Sequence, residues 1–311
     1  MYPARMRFLD ARSTEALLPY PALADALREM LESKRSGEAH APPRLAVPLG
    51  GGASLLVMPA ADAGVAVTKL VTVHPGNAAR GLPTIQGEVV AMRAETGERL
   101  GVLDGAAVTA RRTAALSLLA ARSLAPRPDG ALWILGAGTQ ARSHLEAFHE
   151  GLGTQKVFVN SRGEEKARAL AEHARKLGME ASVVGDVEEA LGEASLVVTA
   201  TTSAEPVLPK EMPADAFIAA VGSFRPDMAE LPAALIRSAN RVVADDLEGA
   251  REEAGDLIQA EHAGALSWGN VLPLEDVFDA GRPEGPVIFE SVGHALWDLA
   301  AARLAFADDL N

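Results

Sequence analysis

Apolar positions in the first third of the chain change period several times. Between Pro21 and Lys34, Leu23, Ala26, Leu27, Met30 and Leu31 recur at three- and four-residue spacing with charges between them, which predicts an amphipathic helix with its proline in the first turn. After "HAPPRLAVPL" the pattern shortens to the β-like runs "ASLLVMP" and "AGVAVTKLVTVHP", then to "TIQGEVVAMRAETGERLGVLDG", which reads as a hairpin turning at Thr96-Gly97. The chain up to residue 105 is therefore mixed α+β. Residues 106–125, "AAVTARRTAALSLLAARSLA", are strong helix formers without Gly or Pro, and Pro126 ends them.

Beyond that helix, short apolar strands alternate with helical segments: "ALWIL", a helix from Gln140, "KVFVN", "EEKARALAEHARKLG", "ASVVG", "LVVTA", "AFIAAVG" and "RVVAD". Continuous apolar strands separated by helices of this length predict a parallel sheet covered on both faces. The final stretch, "PVIFESVGHALWDLAAARLAFADDL", reads as a strand and then a helix whose Val292, Ala295, Leu296, Leu299 and Ala302 form one apolar face. The fold class is α/β with an added α+β part.

Composition narrows the function. A length of 311 residues with 48% apolar content suits two domains. A net charge of −13 without a basic run argues against nucleic acid and against acidic lipid, which leaves a small molecule as the expected partner. Cysteine is absent, so disulfides, thiolate metal sites and a cysteine nucleophile are all excluded, and no metal is expected. Arg5, Arg7, Asp10 and Arg12 interrupt any signal-peptide core, and no apolar run nears the roughly 20 residues of a membrane span. The expected compartment is the cytoplasm.

"WILGAGTQARSHL" supplies the first chemistry. Gly136, Gly138 and Ala141 fit G-x-G-x-x-A between a strand and a helix: a tight turn, close approach of a pyrophosphate, and close helix packing. A second strand follows at the expected distance, which favours a dinucleotide site over an ordinary turn. That strand ends in Asn160-Ser161-Arg162, with no Asp or Glu to accept from a ribose 2′-hydroxyl. An arginine there suits a 2′-phosphate, so NADPH is expected in preference to NADH, although Arg162 also fits a solvated charge ahead of a helix.

Five segments in order, "KLVTVHPGNAARGLPTIQGEVV", "RRTAALSLLAARSLA", "LGAGTQARSHLEA", "VTATTS" and "ESVGHALWDLAAA", resemble the ornithine cyclodeaminase/mu-crystallin family over nearly the whole chain. The resemblance implies a substrate-binding and dimerisation domain at 1–116, to which 292–311 return, and a Rossmann domain at 117–291. It implies a homodimer. It also implies that Arg44, Lys69 and Arg112 gather around a substrate carboxylate with Thr84 nearby. Thr139, Gln140, Thr199, Thr201, Ser223 and Val292 join the cofactor set, and Phe224 and His294 the substrate set.

The residue types agree with that implication. Lys69 lies inside an apolar run, where an unpaired ammonium is costly, and Arg112 in a helix of Ala and Leu has the fork geometry for a carboxylate. Both also fit internal salt bridges, with Glu88 or Asp104 as partners. Asp227 is a candidate acid that equally fits a helix N-cap before "MAELPAAL", and His294 fits a cap as well as a substrate contact.

Two departures narrow the expected reaction. Where the cyclodeaminase branch carries a Glu before Met-Pro, this chain has Leu56, and where that branch carries an Asp after the fifth Rossmann strand, it has Phe224. Amine removal needs a carboxylate base. The "RPDMAEL" form resembles instead the ketimine-reductase side of the family, which implies NADPH-dependent reduction of a cyclic imino acid, Δ1-pyrroline-2-carboxylate or its six-membered homologue. Lys69 would serve as proton donor, with Arg44 and Arg112 on the carboxylate and Ser223 and Phe224 beside the nicotinamide. Alternatives are an alanine or opine-type dehydrogenase, a cofactor-loaded binding protein of the mu-crystallin kind, and ornithine cyclodeamination itself.

Overall fold

The computed structural model describes residues 7–278 and 281–310. Residues 1–6 and Asn311, from the expected first domain, and Asp279 and Ala280, from the second, lie outside the described residues. Contacts divide the chain into two units, Met1–Arg112 with His294–Asn311 and Thr113–Gly293. The junctions between these units fall at 112/113 and 293/294. The first lies inside an unbroken helix, where apolar periodicity runs on across the change of unit.

The first unit is built on six strands: β1 (Arg7–Leu9), β2 (Leu45–Gly50), β3 (Ala53–Ala61), β4 (Val65–Val73), β5 (Ile85–Arg93) and β6 (Arg99–Asp104), in the order β1-β6-β5-β4-β3-β2. Neighbours pair antiparallel except β1, which joins β6 in parallel. The predicted hairpin is β5–β6, with Gly97 at φ 70 in its turn. Strands β1 and β2 go beyond the sequence reading. Both are edges, and β2 accommodates Pro48 because an edge strand can lack an N–H bond.

Helices α1 (Ala11–Ala16), α2 (Tyr20–Ser36) and the start of α3 (Gly105–Leu124) belong to this unit, with α10 (Ala295–Ala305) and α11 (Ala307–Leu310) at the far end of the chain. Leu23, Leu27, Met30 and Leu31 of α2 are buried as their spacing predicts, at about 1.5–3 kcal/mol for each such side chain. Helix α10 packs on α2 and on β3, β4 and β5. It is buried almost all round, and its alanines allow that close approach.

The second unit carries eight parallel strands: β7 (Ala131–Leu135), β8 (Lys156–Asn160), β9 (Glu180–Val183), β10 (Ala194–Thr199), β11 (Phe217–Ala220), β12 (Arg241–Ala244), β13 (Val271–Pro273) and β14 (Val287–Glu290). Their order is β13-β12-β14-β11-β10-β7-β8-β9, a doubly wound sheet with crossovers to either side of β7 and β10. Residues 132–135, 157–159 and 194–199 are wholly buried, which explains why these strands show apolar runs rather than alternation. Its helices are the remainder of α3, then α4 (Thr139–Leu152), α5 (Glu164–Lys176), α6 (Val187–Leu191), α7 (Ala233–Ser238), α8 (Leu247–Glu253) and α9 (Gly255–His262).

Candidate functional site

In the second unit the chain leaves β7 through Gly136 at φ +115. A Cβ there would come 2.4 Å from the Ala200 carbonyl oxygen, so this turn needs glycine on both conformational and steric grounds. Gly138 caps α4 without any side-chain hydrogen bond, leaving the amides of the helix start to an anion. Inside α4, His144 is fully buried and joins Gln140 O to Ser117 Oγ of α3; burial pushes its pKa down to about 4, so the imidazole is a neutral structural link.

A pocket of about 540 Å³ follows this turn, lined by Gly136, Gly138, Asn160, Ser161, Arg162 and Thr201 among others. These residues fit a dinucleotide: a glycine cradle at a helix N-terminus, and at the tip of β8 a cation rather than a carboxylate. Lys166 and Glu165 also line it, in the first turn of α5, a pair the sequence reading did not single out.

Three residues of the expected cofactor set make hydrogen bonds within the protein. The Thr199 side chain is fully buried and its hydroxyl donates to Glu230 Oε2 at 2.8 Å. Ser223 is buried too, donating to Met228 O and accepting from Asp256 N. Val292 donates its N–H to Asp245 Oδ1. Asp227 caps no helix: it forms an exposed ion pair with Arg225, and α7 starts only after Pro232. Phe224 stands half exposed in the same loop.

Glu230 organises that end of the sheet. Its Oε1 accepts from Thr201 N at 2.6 Å and its Oε2 from Gly222 N at 2.8 Å, which ties the loop after β10 to the loop after β11. Gly222 has no room for a Cβ, which would meet Thr201 O at 2.4 Å and Glu230 Oε1 at 2.5 Å. Asp256 Oδ1 in turn holds the Glu230 and Leu231 amides, both at 2.7 Å. Neither carboxylate oxygen of Glu290, at the end of β14, has a hydrogen-bond partner among the described residues. Burial and the neighbouring Asp256, Glu230 and Asp245 push its carboxyl well above the ordinary range, which favours the neutral form.

In the first unit the expected cations do come together. Lys69 sits on β4 opposite Val89, its face alternating with exposed Leu70. Its Nζ donates to Asp298 Oδ1 at 3.1 Å, and Arg112 Nε lies 3.7 Å from the same oxygen. All three side chains are buried, Asp298 completely. Lys69 feels burial first, then attraction to Asp298 and repulsion from Arg112 and Arg44; the net result pulls its ammonium down to about 8.

The partner anticipated for these cations is corrected. Glu88 pairs with Leu70 and Asp104 with Glu88, so strand alternation puts both carboxylates on the sheet face opposite Lys69. Asp104 instead caps the start of α3 through Ala107 N. Asp298 escaped the sequence reading, although a lone carboxylate inside "ALWDLAAARLA" was a signal: a charge on a helix buried all round must meet an opposite charge.

The remaining candidates are more distant or play other parts. Leu56 shares the Lys69 face, through the Leu56–Val71 and Met58–Lys69 pairs, and brings no carboxylate there. Thr84 lies on the exposed turn ahead of β5, its carbonyl accepting from His74 N. Ile85 pairs with Val73, so Thr84 is at least four strand positions from Lys69, on the order of 13 Å. His294 is the N-cap of α10, its Nδ1 accepting from Leu296 N, with its ring 5.7 Å from that of Trp297.

Comparison with known proteins identifies the family. The model of the ornithine cyclodeaminase/mu-crystallin family matches residues 5–309. Over 305 residues, 97% of this chain and 96% of the relative, the sequence is 42% identical to Delta(1)-pyrroline-2-carboxylate reductase 2 of Burkholderia ambifaria. It is 41% identical over 302 residues, 95% and 94% of the two chains, to the Delta(1)-pyrroline-2-carboxylate/Delta(1)-piperideine-2-carboxylate reductase of Azospirillum brasilense. Among solved structures, Thermococcus litoralis Delta(1)-pyrroline-2-carboxylate reductase in complex with NADH and L-proline matches with a TM-score of 0.90 at 28% identity, covering 98% of each chain. The chain belongs to the ornithine cyclodeaminase/mu-crystallin family.

Proposed function

We propose that this protein reduces a cyclic imino acid, converting Δ1-pyrroline-2-carboxylate to L-proline and Δ1-piperideine-2-carboxylate to L-pipecolate. The observation that carries the reading is a charge imbalance: two buried cations, Lys69 and Arg112, share one carboxylate, that of Asp298. An organic carboxylate offsets the excess. Arg112 and Arg44 hold that carboxylate, and Lys69 delivers a proton to the ring nitrogen as its C=N bond is reduced. With a pKa near 8, Lys69 carries that proton at neutral pH and releases it without a large barrier. A bound reduced nicotinamide supplies the hydride that C2 receives.

Amine elimination fits less well. Neither Leu56 nor Phe224 is acidic, and Asp298 has no accessible surface through which to act as base on a substrate amine. Arg162 just beyond the tip of β8 and Lys166 in the first turn of α5 favour the 2′-phosphate of NADPH over NADH. The exposed apolar face of the six-stranded sheet, with Phe8 70% and Leu45 60% accessible beside Val47, Leu70 and Met92, is the contact of a homodimer.

One assay tests the reaction: oxidation of NADPH and of NADH followed optically against both cyclic imines, ornithine, and pyruvate with ammonia. The expected result is turnover with the imines and a preference for NADPH that Arg162→Ala abolishes. Ammonia release from ornithine, or inertness toward both imines, would replace the reading.

A further inference from the structure

We propose that Asp298 is the positioning residue of this site: one buried carboxylate oxygen aims the ammonium of Lys69 and the guanidinium of Arg112, and so sets the pH range in which Lys69 can give up its proton. The inference rests on the proposed role of Lys69 as proton donor.

Three elements meet at that oxygen, β4 through Lys69, α3 through Arg112 and α10 through Asp298. Among the described residues, no other carboxylate forms an ion pair with either cation. Asp298 lacks accessible surface, so it reaches a substrate only through the cations it holds. One of the three Lys69 N–H groups is committed to Asp298 Oδ1, which fixes the rotation of the ammonium and leaves two N–H groups for a ligand.

A hydrogen-bonded counter-ion at 3.1 Å also favours the charged form of Lys69 against burial. The other charges facing Lys69 are Arg112 from α3 and Arg44 ahead of β2, and both oppose it. On α2, Lys34 lies over the Trp297 ring; His294 caps α10; Glu88 and Asp104 occupy the opposite sheet face. Among the described groups that act on Lys69, Asp298 is the negative one, and losing it moves the lysine further below its ordinary value.

The test is the pH profile of kcat for imine reduction in the wild type, Asp298→Asn and Asp298→Glu, from pH 5.5 to 10. In the wild type kcat falls as pH rises through the Lys69 titration. Asp298→Asn is expected to move that falling limb to lower pH by at least one unit and to reduce kcat at pH 7 tenfold or more, with a smaller change in KM. Asp298→Glu restores the limb, but its longer arm leaves kcat at least threefold low. An unshifted limb in Asp298→Asn, with only a uniform loss of rate or of thermal stability, would overturn the proposal. Should Asp298→Asn not fold, wild-type kcat in Asp298→Glu would overturn it equally.

A second readout does not depend on turnover. With its folded pKa depressed, Lys69 holds its proton less firmly in the folded chain than in the unfolded one, so its contribution to stability rises with pH between about 8 and the ordinary lysine value. In the cofactor-bound Asp298→Asn protein this rise is expected to begin at lower pH. If the imines are not reduced at all, the proposed function fails, and the stability profile alone decides whether Asp298 sets the Lys69 proton.

Discussion

Two regions of this molecule bury charge by opposite means. Around Lys69 in the first unit, two buried cations, Lys69 and Arg112, share the one carboxylate of Asp298, an excess of positive charge. At the strand ends of the second unit, Glu230, Asp245, Asp256 and Glu290 are buried together, and backbone amides and hydroxyls satisfy them where they are satisfied at all. The acidic cluster resolves its repulsion by protonation: Glu290 is pushed far up, and burial raises Asp256 to about 7 despite two amide donors. A lysine can shed charge in the same way, but an arginine cannot. The cluster around Lys69 therefore keeps the charge of Arg112 at any neutral pH, while a brace that need only hold loops can become neutral.

Four substitutions sharpen that contrast, and the largest effect belongs to the positive cluster. Lys69→Met is expected to lower kcat for the cyclic imine by about 10²–10³-fold, the usual contribution of a positioned acid, with little change in NADPH affinity. A loss under threefold in steady-state assays would remove Lys69 from the chemistry. Arg112→Ala comes next. Loss of a charged hydrogen-bonded partner, about 1.5–3 kcal/mol, corresponds to a KM raised on the order of 10–100-fold while kcat changes less.

The acidic cluster predicts the reverse split. Glu230→Gln puts an NH₂ where two amides and a hydroxyl now find acceptors, loosening the loops after β10 and β11. Fluorescence titration is expected to show NADPH binding weakened about tenfold, at a cost on the order of 1–3 kcal/mol, with KM for the imine nearly unchanged. An altered imine KM with normal NADPH affinity would merge the two regions into one.

Glu290→Gln gives the smallest change at neutral pH, because glutamine imitates the neutral acid. The sign shows only in the pH dependence. The folded chain keeps a proton on Glu290 that the unfolded chain loses above the ordinary carboxylate range, so wild-type stability falls as pH climbs from there toward the raised folded value. Thermal melts of Glu290→Gln should lack that component of the slope, and a slope identical to wild type would place the charge elsewhere.

Much of this architecture was legible in residue order. The α2 face, the β5–β6 hairpin, the long α3 and the alternating second half rest on local periodicity, and the glycine turn rests on spacing within eight residues. Lys69 and Arg112 stood out because a charge in an apolar run needs an explanation. Partners separated by more than a hundred residues were not legible. Glu88 and Asp104 were sensible candidates by proximity in the chain, yet the β5–β6 register turns both away from Lys69. The hydroxyl of Thr199 and that of Ser223, read as cofactor contacts from their motifs, are taken by Glu230 and by Met228 O.

Taken alone, the sequence determined which segments are helix or strand, where a glycine turn joins strand to helix, and that buried cations require an anion, since these follow from side-chain period, backbone freedom and the cost of desolvating charge. Only the tertiary structure decided that the anion is Asp298, 229 residues from Lys69 along the chain. That choice depends on which face of β4 meets α10, a matter of packing between elements that no local pattern encodes.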